Sequence, residues 1–456
     1  MKKLILLLCV WVSGFAVWGQ KSIELSDIRM INLGDGRLFA TMDDKKKTPI
    51  DGKVRIITGY TTEYMNAQFD KGYAAGKWEY YRNNLLAEVK QYADGLMHGE
   101  AIEYHADGKT VKSRAVMKNG KPDGLVEGFS PEGKKTYEKN MKEGVDNGYE
   151  RNYDDDGTLL SETSYKNGKT DGKKFSIANR GRSSETQTTA YYKDGKEDGE
   201  YLIVYADGTV KTKGAYKGGE KDGLWESFKR DGKHDGPTEV YENGNVVKRT
   251  TYYTDNSVNT ETHFNAERKK HGAEKEYAFE GGRLIRDQHY VNGKLVGKQM
   301  RRFSGSAGSF FEHAIYDENG LKDGEFTEIW EETEKLRSKG LYVKDKKHGL
   351  WLYGYPDGKS PGPEETYENG VRKMRKEYVS NDITGGYFEI TNYNERDDKH
   401  GEYLETWAKD GKTKTKGLFE RGRRHGTWTE YDTDGKLKEE TIYDNGSTVK
   451  RTKPGN

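Results

Sequence analysis

A length of 456 residues would ordinarily suggest about three domains, and 77 Lys and Arg against 76 Asp and Glu leave a net charge of +1. That balance excludes a nucleic-acid binder, which needs a basic surplus to displace counterions. Leu, Ile, Val and Phe make up only about 17% of the chain, too little for a large aliphatic core, so the 32 Tyr, 14 Phe and 8 Trp must supply the apolar area.

The first element is a secretory signal peptide over residues 1–19. Lys2 and Lys3 precede an apolar run from Leu4 to Val12, and the small residues Val17 and Gly19 lead to a cut before Gln20. The stretch Leu4 to Trp18 is 15 residues long, short of the roughly 20 a spanning helix needs. No later segment is more apolar, so no transmembrane segment is expected in the mature chain. The one cysteine, Cys9, lies inside this leader after Leu8, where a lipid-anchored signal has a small residue. The expected location is therefore outside the cytoplasm: periplasmic, cell-surface or secreted, with no disulfide to hold the mature chain together.

From residue 52 a glycine usually preceded by Asp, His or Asn recurs at Gly52, Gly76, Gly99, Gly124, Gly148, Gly172, Gly199, Gly223, Gly272, Gly297, Gly324, Gly349, Gly401 and Gly426. The two long gaps each hold two periods, so the spacing averages 24.9 residues over about 16 units. A large apolar residue lies seven or eight places before most of these marker glycines, such as Tyr165, Tyr216 and Tyr342. Another lies two places after, such as Trp78, Trp225 and Trp351. Between them runs a polar turn such as Lys166 to Gly172. Asp-Gly occurs 17 times and Asn-Gly 8 times, dipeptides suited to the positive φ of hairpin turns.

This pattern predicts an all-β fold: an elongated, single-layer antiparallel β-meander of about 16 hairpin repeats of roughly 25 residues. At about 4.8 Å per strand, 32 strands would run roughly 150 Å before twist shortens the sheet. The expected organisation is a signal peptide at 1–19, an N-terminal leader or cap at 20–51, the repeat array at 52–445 and a polar tail at 446–456. Leader and tail are expected to cover the sheet edges. The small-residue run Ser304 to Ser309 reads as a lengthened loop.

The residues offer little chemistry. His98, His271, His348, His400 and His425 directly precede marker glycines where other units have Asp or Asn. A ligand or general base does not tolerate that exchange, whereas a left-handed turn position does, so these histidines read as turn residues. Gly-Lys-Thr triplets at Gly108, Gly168 and Gly411 lack the earlier glycine of a phosphate loop. Asn152 to Gly157 resembles the start of a calcium loop, but its twelfth position is Thr163 rather than Glu. The expectation is no catalytic residue, no cofactor, no metal site and no enzymatic activity. The candidate binding face is the aromatic row: Trp78, Trp225, Phe326, Trp330, Trp351, Trp407 and Trp428. Trp330 and Trp407, six places beyond their glycines, are the ones expected to be most exposed.

The run Tyr216-Lys217-Gly218-Gly219-Glu220-Lys221-Asp222-Gly223-Leu224-Trp225 resembles the MORN repeat in its bacterial variant form, the form shared with antitoxin-type repeat proteins. A weaker resemblance, to the YD-type repeats of secreted toxins, rests on Tyr153 to Gly157. The MORN resemblance spans roughly Gly52 to Asn445 and implies elongated β-sheets used for protein assembly or membrane-surface attachment. The resulting expectation is a non-enzymatic exported scaffold that binds an unknown protein partner in the cell envelope or outside the cell. The alternatives are an antitoxin or immunity-type neutraliser acting by steric occlusion, and attachment to glycan, cell wall or a membrane surface through the aromatic face.

Overall fold

The computed structural model describes residues 21–455 except 360, 382 and 384; the signal-peptide segment lies outside the described residues. Regular structure among them consists of 37 strands and one 3-10 turn, Leu25–Asp27. No helix there is long and apolar enough to cross a membrane. The chain divides into two compact units, Met1–Glu220 and Lys221–Asn456. Each unit is an open, predominantly antiparallel meander in which successive hairpins share strands.

The hairpin turns are narrower than the sequence suggests. In the polar run Lys166 to Gly172, only Asn167 and Gly168 form the turn, with φ of +50° and +79°. The returning strand already begins at Lys169 and continues to Ala178. The marker glycine Gly172 therefore sits inside a strand, with φ of +107°. The pairing slips there, from Thr163↔Lys174 to Tyr165↔Thr170. A β-bulge needs the same left-handed freedom as a turn and adds twist to the strand, and it is the bulge that the repeating glycine serves.

Successive turns are tied to one another. The second turn residue donates its N–H to the carbonyl two residues before the preceding unit's marker glycine, at 13 turns from Gly72 on Ile50 to Gly446 on Arg424. The residue just before the marker glycine accepts from the next turn as well. Asn167 N–H reaches Asn147 Oδ1 at 3.2 Å, Asp194 N–H reaches Asp171 Oδ2 at 3.2 Å, Gly218 N–H reaches Asp198 Oδ2 at 3.1 Å and Asn292 N–H reaches His271 Nδ1 at 3.4 Å. This corrects the reading of the five histidines. They lie within strands and none has positive φ. Asp, Asn and His alternate at this position because each can offer an acceptor to a neighbouring turn.

The leader is folded. β1 (Lys21–Glu24) pairs parallel with β4 (Gly52–Ile57), setting Ile23 opposite Ile56. β2 (Ile28–Asn32) and β3 (Leu38–Met42) form a hairpin. With β5 (Tyr64–Asp70) and β6 (Tyr73–Arg82), they close a core of Ile23, Ile28, Ala40, Ile50, Val54, Ile56, Ala67, Phe69, Ala74 and Trp78. Aliphatic packing is concentrated here, where strands can cover a sheet face.

Two segments differ from expectation. Residues 304–309 are not a loop: the strands Gly297–Gly305 and Gly308–Tyr316 pair through Ser304↔Ser309 and Gly305↔Gly308, because glycine on both sides lets two longer strands close tightly. The polar tail contains a further strand, Ser447–Thr452, paired with Leu437–Asp444 and exposed at every residue.

Candidate functional site

The bulge places a large side chain two residues after the marker glycine over the preceding strand. In the second unit Trp351 packs against Phe326, Tyr342, Tyr353 and Tyr367, with ring centroids 5.1–6.3 Å apart. Trp428 repeats this with Tyr403, Phe419 and Tyr443. Each indole needs a small residue beneath it. A Cβ on Gly340 would collide with Trp351, and one on Gly417 with Trp428. The indole N–H also has a task, since Trp78 donates to Gln68 O at 2.9 Å and Trp428 to Leu418 O at 3.0 Å. In both cases the acceptor flanks the register slip.

A cation covers most of these rings in the second unit. It comes from the residue two places before the marker glycine: Lys221 lies 4.1 Å from the Trp225 ring centre, Lys322 4.6 Å from Phe326, Lys347 4.2 Å from Trp351 and Arg424 4.2 Å from Trp428. Attraction to the ring quadrupole and burial of the aliphatic stem both favour this arrangement. Lys347 is the most enclosed, with Tyr353 and Tyr367 also near and its Nζ donating to Tyr353 Oη at 2.7 Å; burial pushes its pKa down.

Buried carboxylates complete the layer. Glu365, opposite Trp351, accepts from Tyr367 Oη at 2.6 Å and from Arg372 at 3.0 Å. Burial alone would raise its pKa, but hydrogen bonds from Tyr367, Arg372 and Tyr353 outweigh it and hold the carboxyl below its ordinary range. Tyr367 is in turn pushed up to about 12, by burial and then by Glu365. Glu405 with Tyr403 and Lys414 repeats the arrangement, and burial followed by Glu405 drives Tyr403 far up. These shifts belong to ionic packing that is already satisfied internally.

In the first unit the place of the cation is taken by Ala74, Met97, Pro122, Asp146, Thr170 and Glu197. Here an ion ladder crosses neighbouring strands through Arg114↔Glu127, Glu127↔Glu138, Glu138↔Arg151 and Arg151↔Glu162. The two facing acids, Glu127 and Glu138, are 5% and 6% exposed. Lys135 bridges them at 2.8 Å to each.

Of the candidate face, Trp78, Trp225, Phe326, Trp330, Trp351 and Trp428 are buried and Trp407 is half-buried. Trp330 and Trp407, expected to be the most exposed, instead act as braces. Their Nε1–H groups point to Gly354 O at 3.5 Å and Asp432 O at 3.2 Å, about one unit further along the chain. His105 reaches Phe129 O at 3.0 Å and Tyr253 reaches Tyr277 O at 2.8 Å in the same way. Trp330 also lines an open cavity of about 510 Å³ with Glu328, Arg337, Tyr353, Tyr355, Glu365 and Arg375.

Sequence reasoning missed the opposite face. Strand alternation turns the neighbours of the buried aromatics outward: Leu224 beside Trp225, Leu341 beside Tyr342, Leu350 beside Trp351 and Leu418 beside Phe419. They are 50%, 38%, 52% and 43% exposed. Val116 and Tyr191 occupy equivalent places in the first unit, at 39% and 40%. The signal was present in the sequence as an aliphatic residue directly after a marker glycine or directly before a conspicuous aromatic.

No curated protein matches the chain. Among solved structures it is similar to chains described as "Crystal Structure of TcdB2-TccC3" and "Crystal Structure of TcdB2-TccC3-Cdc42". Identity is 10% in both, over 92% and 93% of this chain, with TM-scores of 0.14 and 0.12. The chain spans 31% and 27% of those chains, less than a third of either. The family model described as "MORN repeat variant" matches residues 146–167 and 424–445. Both windows start two residues before a marker glycine, Gly148 or Gly426, and end at the Asn of an Asn-Gly turn. Each thus holds the bulged strand, an Asp-rich turn and the return strand. The chain carries MORN-variant repeats at these two positions, and the same bulged strand, turn and return strand recur along both compact units.

Proposed function

We propose that this protein is a non-enzymatic, exported scaffold that binds a protein partner in the cell envelope or outside the cell. The observation that carries this reading is the row of half-exposed aliphatic side chains, Leu224, Leu341, Leu350 and Leu418, on the face opposite the aromatics, with Glu325 and Glu402 paired across the sheet from Leu341 and Leu418. Apolar contacts spaced along a rigid sheet and rimmed by polar groups suit a polypeptide, which can be held through many modest contacts. The aromatic face is less suited to stacking on sugars, because its rings are already covered by lysines, an arginine and one another. Export rests on the N-terminal segment and is tested by fractionation with N-terminal sequencing, expected to find a chain beginning at Gln20 outside the cytoplasm.

The binding reading is tested by affinity capture from envelope and secreted fractions, with the tagged mature chain as bait and mass spectrometry as readout. A stoichiometric polypeptide that is lost from a folded Leu224→Asp, Leu350→Asp double variant is the expected result. Recovery of no protein, or equal recovery by the variant, would contradict it. The identity of the partner separates a structural scaffold from a toxin neutraliser.

A further inference from the structure

The chain has eight Asn-Gly steps, and Asn-Gly is the dipeptide most open to spontaneous deamidation because glycine puts no side chain in the path of attack. In that reaction the glycine nitrogen attacks the asparagine Cγ. The N–Cγ bond forms, the Cγ–Nδ2 bond breaks, and ammonia leaves with the proton from the glycine N–H. Water then opens the succinimide at either carbonyl to give Asp or isoaspartate. The step therefore requires a glycine N–H that can give up its proton and swing toward its neighbour's side chain.

Six of the eight steps are turns in which that N–H is held by another unit. Gly120, Gly168, Gly293, Gly370 and Gly446 donate at 2.8 Å to the carbonyls of Met97, Asp146, Lys270, Lys347 and Arg424, and Gly244 donates to Lys221 O at 3.2 Å. The asparagines before them all lie in the left-handed region, with φ between +46° and +51°. A seventh, Asn147, is inside the strand Val145–Tyr153, and its own side chain accepts from Asn167. The eighth differs. Asn319 is exposed, has no positive φ, and is followed by Gly320, whose N–H closes its own short loop on Asp317 O at 3.1 Å. That loop can open without unpairing two units, and local openings of this kind need the least free energy.

We propose that Asn319 is the site at which the folded chain deamidates, and that the bonds between successive turns protect Asn119, Asn167, Asn243, Asn292, Asn369 and Asn445. Conversion at any of these six would add a charge beside the next unit and, where it gives isoaspartate, insert a methylene into a two-residue turn, so protection preserves the array's register. Asn319 lies in a longer loop that tolerates the change.

The test is peptide mapping by liquid chromatography and mass spectrometry after incubation at mildly alkaline pH, with the full chain either folded or unfolded in urea. In urea all seven turn and loop steps are expected to convert at similar rates. In the folded protein Asn319 is expected to convert at least about tenfold faster than any of the six, the factor set by the difference in local opening. Conversion of the six at the rate of Asn319 in the folded state would overturn the proposal. An Asn319→Ser variant supplies a second arm: the earliest acidic species seen on ion exchange should disappear, and its persistence would place the modification elsewhere and equally overturn the assignment.

Discussion

The indole of Trp351 lies against the backbone of Gly340 on the neighbouring strand, leaving no room for a Cβ. Gly340 has no positive φ, so its need is space rather than conformation. Gly340→Ala should therefore destabilise the protein by about 1–3 kcal/mol through overpacking, although alanine is ordinarily the better strand residue. Gly128 is the control: it also lacks positive φ, and a Cβ there would stand 3.4 Å from Tyr137, in ordinary contact. Gly128→Ala should be neutral or mildly stabilising. Urea denaturation of the two variants checks the contrast.

Trp428 and Trp351 occupy equivalent places, but only Trp428 has a partner for its indole N–H: Leu418 O at 3.0 Å for Trp428, none for Trp351. Replacing either by Phe loses similar packing. Trp428→Phe also strands the carbonyl beside the bulge, and should cost about 1 kcal/mol more than Trp351→Phe. Parallel equilibrium unfolding curves read the difference.

Acid should weaken the second unit through Glu365. Its folded pKa lies below the unfolded value because the bonds from Tyr367, Arg372 and Tyr353 outweigh its burial. A depressed carboxylate contributes stability above its unfolded pKa and loses it as pH falls through the lower folded value. The stability gap between wild type and Glu365→Gln should therefore be widest near neutrality and close as pH falls below the ordinary glutamate range. Urea midpoints measured across that range test the sign; a gap that widens in acid would refute it.

The residue before each marker glycine should be exchangeable by acceptor chemistry. Asp198 accepts from Gly218 N–H at 3.1 Å at an exposed site. Asp198→Asn should leave stability within about 0.5 kcal/mol of wild type. Asp198→Ala, with no acceptor, should lose about 0.5–1 kcal/mol. Amide exchange at Gly218 gives a second readout, faster in the alanine variant alone.

The period and the strand-turn-strand order were legible because a glycine every 25 residues and paired aromatics leave few other solutions. The placement of the marker glycine was not. Asp171-Gly172 forms a bulge and Asp194-Gly195 a turn, and both require positive φ, so the dipeptide cannot say which it is. For the same reason His271 looked like a turn residue, when it supplies an acceptor to a turn 21 residues away. Trp330 looked free because few units have an aromatic at its position. Its brace to Gly354 depends on the following unit, which single-unit reasoning does not reach. Lys347 falls in the polar stretch between Tyr342 and Trp351, and its place over Trp351 follows from the bulge that returns it to the aromatic face.

The aromatic row is internal packing, which leaves the other face for the proposed partner. Trp78, Trp225, Trp330, Trp351, Trp407 and Trp428 are the tryptophans after residue 20, so acrylamide quenching of tryptophan fluorescence in a chain beginning at Gln20 reads the row directly. Blue-shifted emission, weakly quenched until urea unfolds the protein, is the predicted result. Red-shifted emission quenched in the folded state as readily as in urea would show the rings in solvent and return the binding face to the aromatics.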